Sequence, residues 1–117
     1  MKKILVIDPN KSLTQELVLL LKTFEDFDIY YPTIYVNGLL KDIKKFASDI
    51  VFINITNQYF DGFFIGRELM KNNPDVKVVY LSDSKKFATN AFEENATDYL
   101  VYPVTRERLE RTLKRLH

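Results

Sequence analysis

The sequence predicts an α/β fold in which a mostly parallel β-sheet is covered by helices on both faces. Three observations point there. Short runs rich in β-branched residues recur at 4–7, 50–53, 76–81 and 99–101, and they are continuous rather than alternating, as strands buried on both faces are. Each run leads into a polar or turn-forming stretch and then into a segment with helically spaced apolar residues. The 117 residues, 46% hydrophobic and 14% aromatic, suit one domain spanning 1–117 with a substantial core, and argue against a disordered chain. A repeated βα pattern implies right-handed crossovers, which is why the sheet is expected to be parallel and covered on both sides.

The first strand, 4–7, follows Met1-Lys2-Lys3 directly and runs into Asp8, without the apolar segment of a signal peptide. Leu13, Leu17, Leu20, Leu21 and Phe24 then share one helix face, and Ser12 with Gln15 has the spacing of a capping box. The run 29–36 is interrupted by Pro32, which cannot donate to a ladder, so this strand belongs at a sheet edge. Leu39, Leu40, Ile43 and Phe46 define a short second helix ending near Ser48. Phe64, Ile65, Leu69 and Met70 define a third, which must stop before Pro74 because the residue preceding proline is driven out of the helical region. Phe87, Ala88, Ala91 and Phe92 define a fourth with Ser84 as its cap, and Leu109, Leu113 and Leu116 line a fifth.

Composition removes several classes of function. Lys and Arg number 17 against 16 Asp and Glu, so no net field draws nucleic acid or anionic lipid. The absence of cysteine excludes a disulfide scaffold, a thiolate zinc site and a cysteine nucleophile, and a single histidine, His117, leaves no His-based metal centre or catalytic triad within one chain. No apolar run exceeds strand length, so the expectation is a soluble, cytoplasmic protein with no membrane contact.

In parallel α/β sheets ligand chemistry sits at the carboxyl ends of the strands. The residues to read are therefore Asp8 and Pro9, Asn54 to Asn57, Ser82 and Asp83, and Tyr102 and Pro103. Around them, Asp49 to Asn54 followed by Asp61-Gly62, then Val78 to Ser82, Ala91-Phe92, Ala96, Asp98-Tyr99-Leu100, and Pro103 with Arg108-Leu109 recur in one order and spacing. On these fragments the sequence resembles, over essentially its whole length, the receiver domain of bacterial two-component response regulators, and most of all receivers that precede LytTR-type DNA-binding domains. The resemblance implies a flavodoxin-like doubly wound sheet of five parallel strands in the order 2-1-3-4-5, with five helices.

It also implies a damaged phosphorylation site. Receivers take a phosphoryl group onto an Asp at the end of the third strand, and the matching residue is Asn54, whose amide oxygen is a far weaker nucleophile and metal ligand. Of the paired acids after the first strand only Asp8 is kept, with Pro9 in the second place, so Asp8 is the one weak candidate ligand and magnesium binding is expected to be poor or absent. The family's lysine after the fifth strand is matched by Tyr102, which offers a neutral hydrogen bond in place of a point charge. Ser82 matches the family's hydroxyl residue, Tyr99 its rotamer-switching aromatic, and Asp83 places a negative charge where a phosphodonor would approach.

Plainer readings stand beside these. Asp8 could cap the first helix, Ser82 could serve as a turn hydroxyl, and Tyr99 could be a core aromatic. Asp61-Gly62 reads as turn chemistry, with Gly62 supplying a positive φ. Phe60, Phe63 and Phe64 are either core or a partner surface. The last helix carries Arg106, Arg108, Arg111, Lys114 and Arg115 against Glu107 and Glu110, a solvated basic face or a dimer contact, without the aromatic interleaving of a nucleic-acid site.

The expected function is an atypical, phosphorylation-independent receiver of a transcriptional regulator. It would have no cofactor and no enzymatic activity, and would act as a protein-interaction and dimerisation module. The dimer face implied by the resemblance comprises the fourth helix, fifth strand and fifth helix, with Tyr99, Tyr102, Arg106, Arg111 and Arg115 beside Glu93, Glu94 and Asp98. The alternatives are a receiver still phosphorylated or metal-bound through Asp8 and another acid such as Asp83, and a small-molecule sensor using the emptied pocket.

Overall fold

Five strands, β1 (Lys3–Ile7), β2 (Asp28–Tyr30), β3 (Ile50–Asn54), β4 (Lys77–Ser82) and β5 (Asp98–Val101), pair in parallel in the order β2-β1-β3-β4-β5. Helices α1 (Lys11–Lys22), α2 (Leu39–Lys45), α3 (Gly62–Asn72), α4 (Ala88–Glu93) and α5 (Arg106–Arg115) form the crossovers and the final cover. This computed structural model describes residues 1–32 and 38–116. The edge strand β2 is only three residues long, and residues 33–36 of the expected 29–36 run lie outside the described residues.

Side-chain alternation divides the interior into two cores. Ile4, Val6, Ile50, Phe52, Val79, Leu81 and Leu100 meet α1 and α5 through Leu17, Leu21, Leu109 and Leu113. Leu5, Ile7, Val51, Ile53, Val78, Tyr80 and Tyr99 face the opposite side, against Ile43, Ile65, Leu69 and Ala91 of α2, α3 and α4. Both faces of the central strands are thus covered, which accounts for their unbroken apolar runs.

Three local expectations need correction. The first helix is capped by Asn10, whose side chain accepts from the Leu13 N–H (3.0 Å), and not by a Ser12–Gln15 box. The cause lies upstream: the Asp8 carboxylate accepts the Asn10 N–H, closing the turn early and leaving Ser12 inside the helix. Gly62 does not supply a positive φ, which among the described glycines belongs to Gly38 (92°). Its requirement is steric, because a methyl group there would overlap the Asn54 carbonyl oxygen. The Phe60, Phe63 and Phe64 group also divides: Phe60 and Phe63 pack against the core while Phe64 stays 47% exposed.

Phe63 meets Tyr80 edge-on, with centroids 4.8 Å apart, and the Tyr80 ring lies over Gly66 of α3. The Tyr80 hydroxyl is buried without a hydrogen-bond partner among the described residues, and its burial raises the phenol pKa. An orphaned buried hydroxyl is destabilising. Tyr80→Phe is therefore expected to increase the unfolding free energy by about 1 kcal/mol in urea titrations; a loss of stability would mean that the hydroxyl has a partner after all.

Candidate functional site

Parallel crossovers bring the ends of β1, β3, β4 and β5 to one edge of the sheet, and there the Asp8 carboxylate sits 4% exposed. It accepts from the Asn10 N–H at 2.9 Å, from Asn54 Nδ2 at 3.3 Å and from the Tyr102 hydroxyl at 2.6 Å. Asp8, Asn54 and Tyr102, which lie far apart in sequence, thus form one hydrogen-bonded group. Two neutral side-chain donors and a backbone amide thus converge on a buried carboxylate, and such bonds offset part of the cost of its burial.

Asn54 is held on its other side as well. Its Oδ1 accepts from the Thr56 N–H (2.8 Å) and from Asn57 Nδ2 (3.1 Å), while Asn57 Oδ1 accepts from the N–H groups of Tyr59 and Phe60. These partners fix the amide's orientation, since Thr56 requires the oxygen on its side and Asp8 requires the nitrogen on its own. Thr56 and Asn57 fall within the stretch Asn54 to Asn57 picked out from the sequence, but no role was assigned to either there, although Asn and Thr directly after a strand are familiar turn-closing residues.

The β4–α4 loop carries the remaining site residues. Ser82 is fully buried and its Oγ accepts the Ser84 N–H (3.0 Å), a turn role. The Asp83 N–H donates to Thr56 Oγ1 (3.1 Å), and the Asp83 side chain lies at the exposed rim. Tyr99 is turned inward, 7% exposed, with its hydroxyl donating to the Ser84 carbonyl. Tyr102, in a cis peptide with Pro103, also receives backbone support, its N–H donating to the Ser82 carbonyl (2.9 Å). Beside Asp8 a cavity of about 330 Å³ is lined by Pro9, Lys11, Gln15 and Tyr31, among others.

The face expected for dimerisation is rearranged. Tyr99 is buried and Tyr102 is committed to Asp8, so neither phenol is offered outward there. Arg106 stacks on the Phe24 ring beside α1 (4.2 Å to the centroid), on the other side of α5. Asp98 is 1% exposed and binds both Arg108 (2.8 and 2.9 Å) and Arg115 (3.1 Å) within the chain. Arg111 and Glu93 are exposed as expected, whereas Glu94 pairs with Arg67 at 2.8 Å. Arg108, Thr112 and Arg115 lie at i, i+4 and i+7, so helical spacing could have placed them on one polar stripe of α5, though not shown that the stripe meets Asp98.

Residues 4–114 match the family described as the response regulator receiver domain. The chain belongs to that family. This receiver is 32% identical over 115 residues to the sensory transduction protein LytT of Bacillus anthracis, covering 98% of this chain and 47% of LytT. It is 30% identical over 117 residues to the transcriptional regulatory protein BtsR of Salmonella typhi, covering 99% of this chain and 48% of BtsR. The receiver thus spans about half the length of these curated relatives. Among solved structures, it is similar to a response regulator receiver domain protein from Clostridium thermocellum, with a TM-score of 0.80 at 26% identity, covering 99% of this chain and 94% of that one. The response regulatory domain of mrkE from Klebsiella pneumoniae shares the fold with a TM-score of 0.84 at 24% identity, covering 97% and 93% of the two chains.

Receivers are signalling modules, and the family implies a magnesium ion at this edge of the sheet. The residues of this receiver do not fit one. Asp8 is the one carboxylate in the hydrogen-bonded group, Pro9 has no side-chain oxygen, and Asn54 turns its amide oxygen away from Asp8 and presents nitrogen to it. Among the described residues no cluster of three or more metal-ligating side chains occurs, and no helix is long and apolar enough to cross a membrane.

Proposed function

We propose that this receiver works without phosphoryl transfer, as a protein-interaction module of a transcriptional regulator. The observation that carries the reading is the Asp8 carboxylate hydrogen-bonded by Asn54 and Tyr102. A phosphoryl group and its metal need carboxylates and a cation at this point, and preorganised charge of that kind is usually the largest catalytic contribution. Here those places hold an amide and a phenol that both donate to Asp8 Oδ2, while the amide oxygen is taken up by Thr56 and Asn57. Asp83 adds a negative charge at the rim, which disfavours an anionic donor.

Output then rests on surface contacts, as in a module that recognises other proteins and not nucleic acid. A homodimer through α4, β5 and α5 is the proposed contact, with exposed Phe92 and Arg111 in place of the inward Tyr99. An apolar anchor flanked by charge suits a two-fold interface. The transcriptional role is drawn from relatives such as BtsR, which are named as transcriptional regulators.

The test is exposure to acetyl phosphate with magnesium, read by intact-protein mass, and to beryllium fluoride with magnesium, read by amide NMR shifts. Neither should change the protein, and sedimentation should show the same dimer with and without the phosphodonor. A mass gain of one phosphoryl group that persists in Ser82→Ala would overturn the phosphorylation-independent reading; a monomer at high concentration would remove the dimer.

A further inference from the structure

We infer that Thr56 is a positioning residue whose hydroxyl clamps the β3–α3 loop to the β4–α4 loop and thereby holds Tyr99 inward. Three bonds in sequence carry the effect. The Asp83 N–H donates to Thr56 Oγ1 across the two loops, 27 residues apart in the chain. The next residue, Ser84, is fixed by its N–H on Ser82 Oγ. The Ser84 carbonyl then receives the Tyr99 hydroxyl. Ser82, at the carboxyl end of β4, accepts within its own loop and in these bonds makes no bridge to β3, so the inter-loop hydroxyl contact comes from Thr56 instead.

Geometry makes this coupling consequential. Tyr99 lies on β5, an outer strand of the sheet, and the phenol is kept inside by packing and by one polar contact at its tip. Thr56 is itself anchored, because its N–H donates to Asn54 Oδ1, so the clamp is referred back to the Asp8 group and not to a free loop. The β3–α3 loop therefore supplies, through its own side chain, a connection between the site and the Tyr99 ring that needs no bound group. The inference is separate from phosphoryl transfer, which none of its readouts involve.

The experiment uses the full chain labelled with 3-fluorotyrosine, the Tyr99 resonance being assigned by its loss in Tyr99→Phe, together with amide exchange at Asp83. Thr56→Val removes the hydroxyl at nearly constant shape. It is expected to shift or broaden the Tyr99 fluorine signal toward that of a solvent-exposed ring and to accelerate exchange of the Asp83 amide about tenfold or more. Thr56→Ser should restore both. Coupling is reciprocal, so Tyr99→Phe, which removes the bond to Ser84, should also loosen the Asp83 amide in a chain with native Thr56. A Tyr99 signal unchanged in folded Thr56→Val would overturn the inference, and so would an Asp83 amide equally protected in Tyr99→Phe. That second arm decides the matter if Thr56→Val does not fold.

Discussion

Asp98→Asn is expected to lower the unfolding free energy by about 3 kcal/mol or more at neutral pH, because it leaves the buried end of β5 facing two guanidinium groups without a counter-charge. The carboxylate accepts from both nitrogens of Arg108, from Arg115, from Thr112 Oγ1 (2.7 Å) and from the Tyr99 N–H (2.8 Å). Burial alone would push its pKa up, but the hydrogen bonds from Arg108, Thr112 and Tyr99 outweigh it, and the carboxyl is held below the usual range. A carboxyl depressed in the folded state contributes stability above its unfolded pKa, near 4, and loses that contribution as pH falls through the lower folded value. The gap between native protein and Asp98→Asn in urea should therefore be constant from about pH 7 to 5 and narrow below about pH 4. Arg115→Ala should cost about 1 kcal/mol or less, since its side chain is half exposed and Arg108 remains. Equal stability of Asp98→Asn and the native chain at neutral pH would show that α5 is held by its leucines alone.

Asn54→Asp, which restores the family's acid, is expected to destabilise the protein and leave it unphosphorylated. The substitution exchanges a donor for an anionic oxygen about 3.3 Å from Asp8 Oδ2. At an effective dielectric near 20 such a pair repels by roughly 4 kcal/mol or more before relaxation. Rotation of the new side chain and uptake of a proton reduce this, so a loss of about 2 to 3 kcal/mol is expected in EDTA at pH 7. Lowering the pH should relieve it, because the repulsion raises the pKa of the pair and protonation returns a donor between the two residues. Millimolar magnesium should recover part of the loss by binding the new carboxylate pair, with no such effect on the native chain. Acetyl phosphate should still not label the variant, because Pro9 and Tyr102 leave the second acid and the cation missing. An Asn54→Asp chain as stable as the native one in EDTA would contradict the bond between Asn54 and Asp8; robust labelling would show that Pro9 and Tyr102 matter less than argued.

Strand and helix positions were legible because their signals are local. The continuous apolar runs of β1, β3 and β4 and the leucine stripe of α1 need no knowledge of partners, and Pro32 by itself put β2 at an edge. The replaced residues of the site, Asn54, Pro9 and Tyr102, could likewise be read one by one from their places after the strands. What those residues do instead was decided by the fold. Asp8, Asn54 and Tyr102 bond only because parallel crossovers bring three distant strand ends to one edge, and the Thr56 contact with Asp83 has the same origin. The α5 arginines read as a surface patch because charge is assigned to solvent by default, and only packing against β5 revealed the buried acid at Asp98 that draws Arg108 and Arg115 inward. Periodicity records which face of an element is apolar. A hydrogen bond between loops depends on distances of about 3 Å that are set after the sheet has assembled, and no spacing along the chain encodes them.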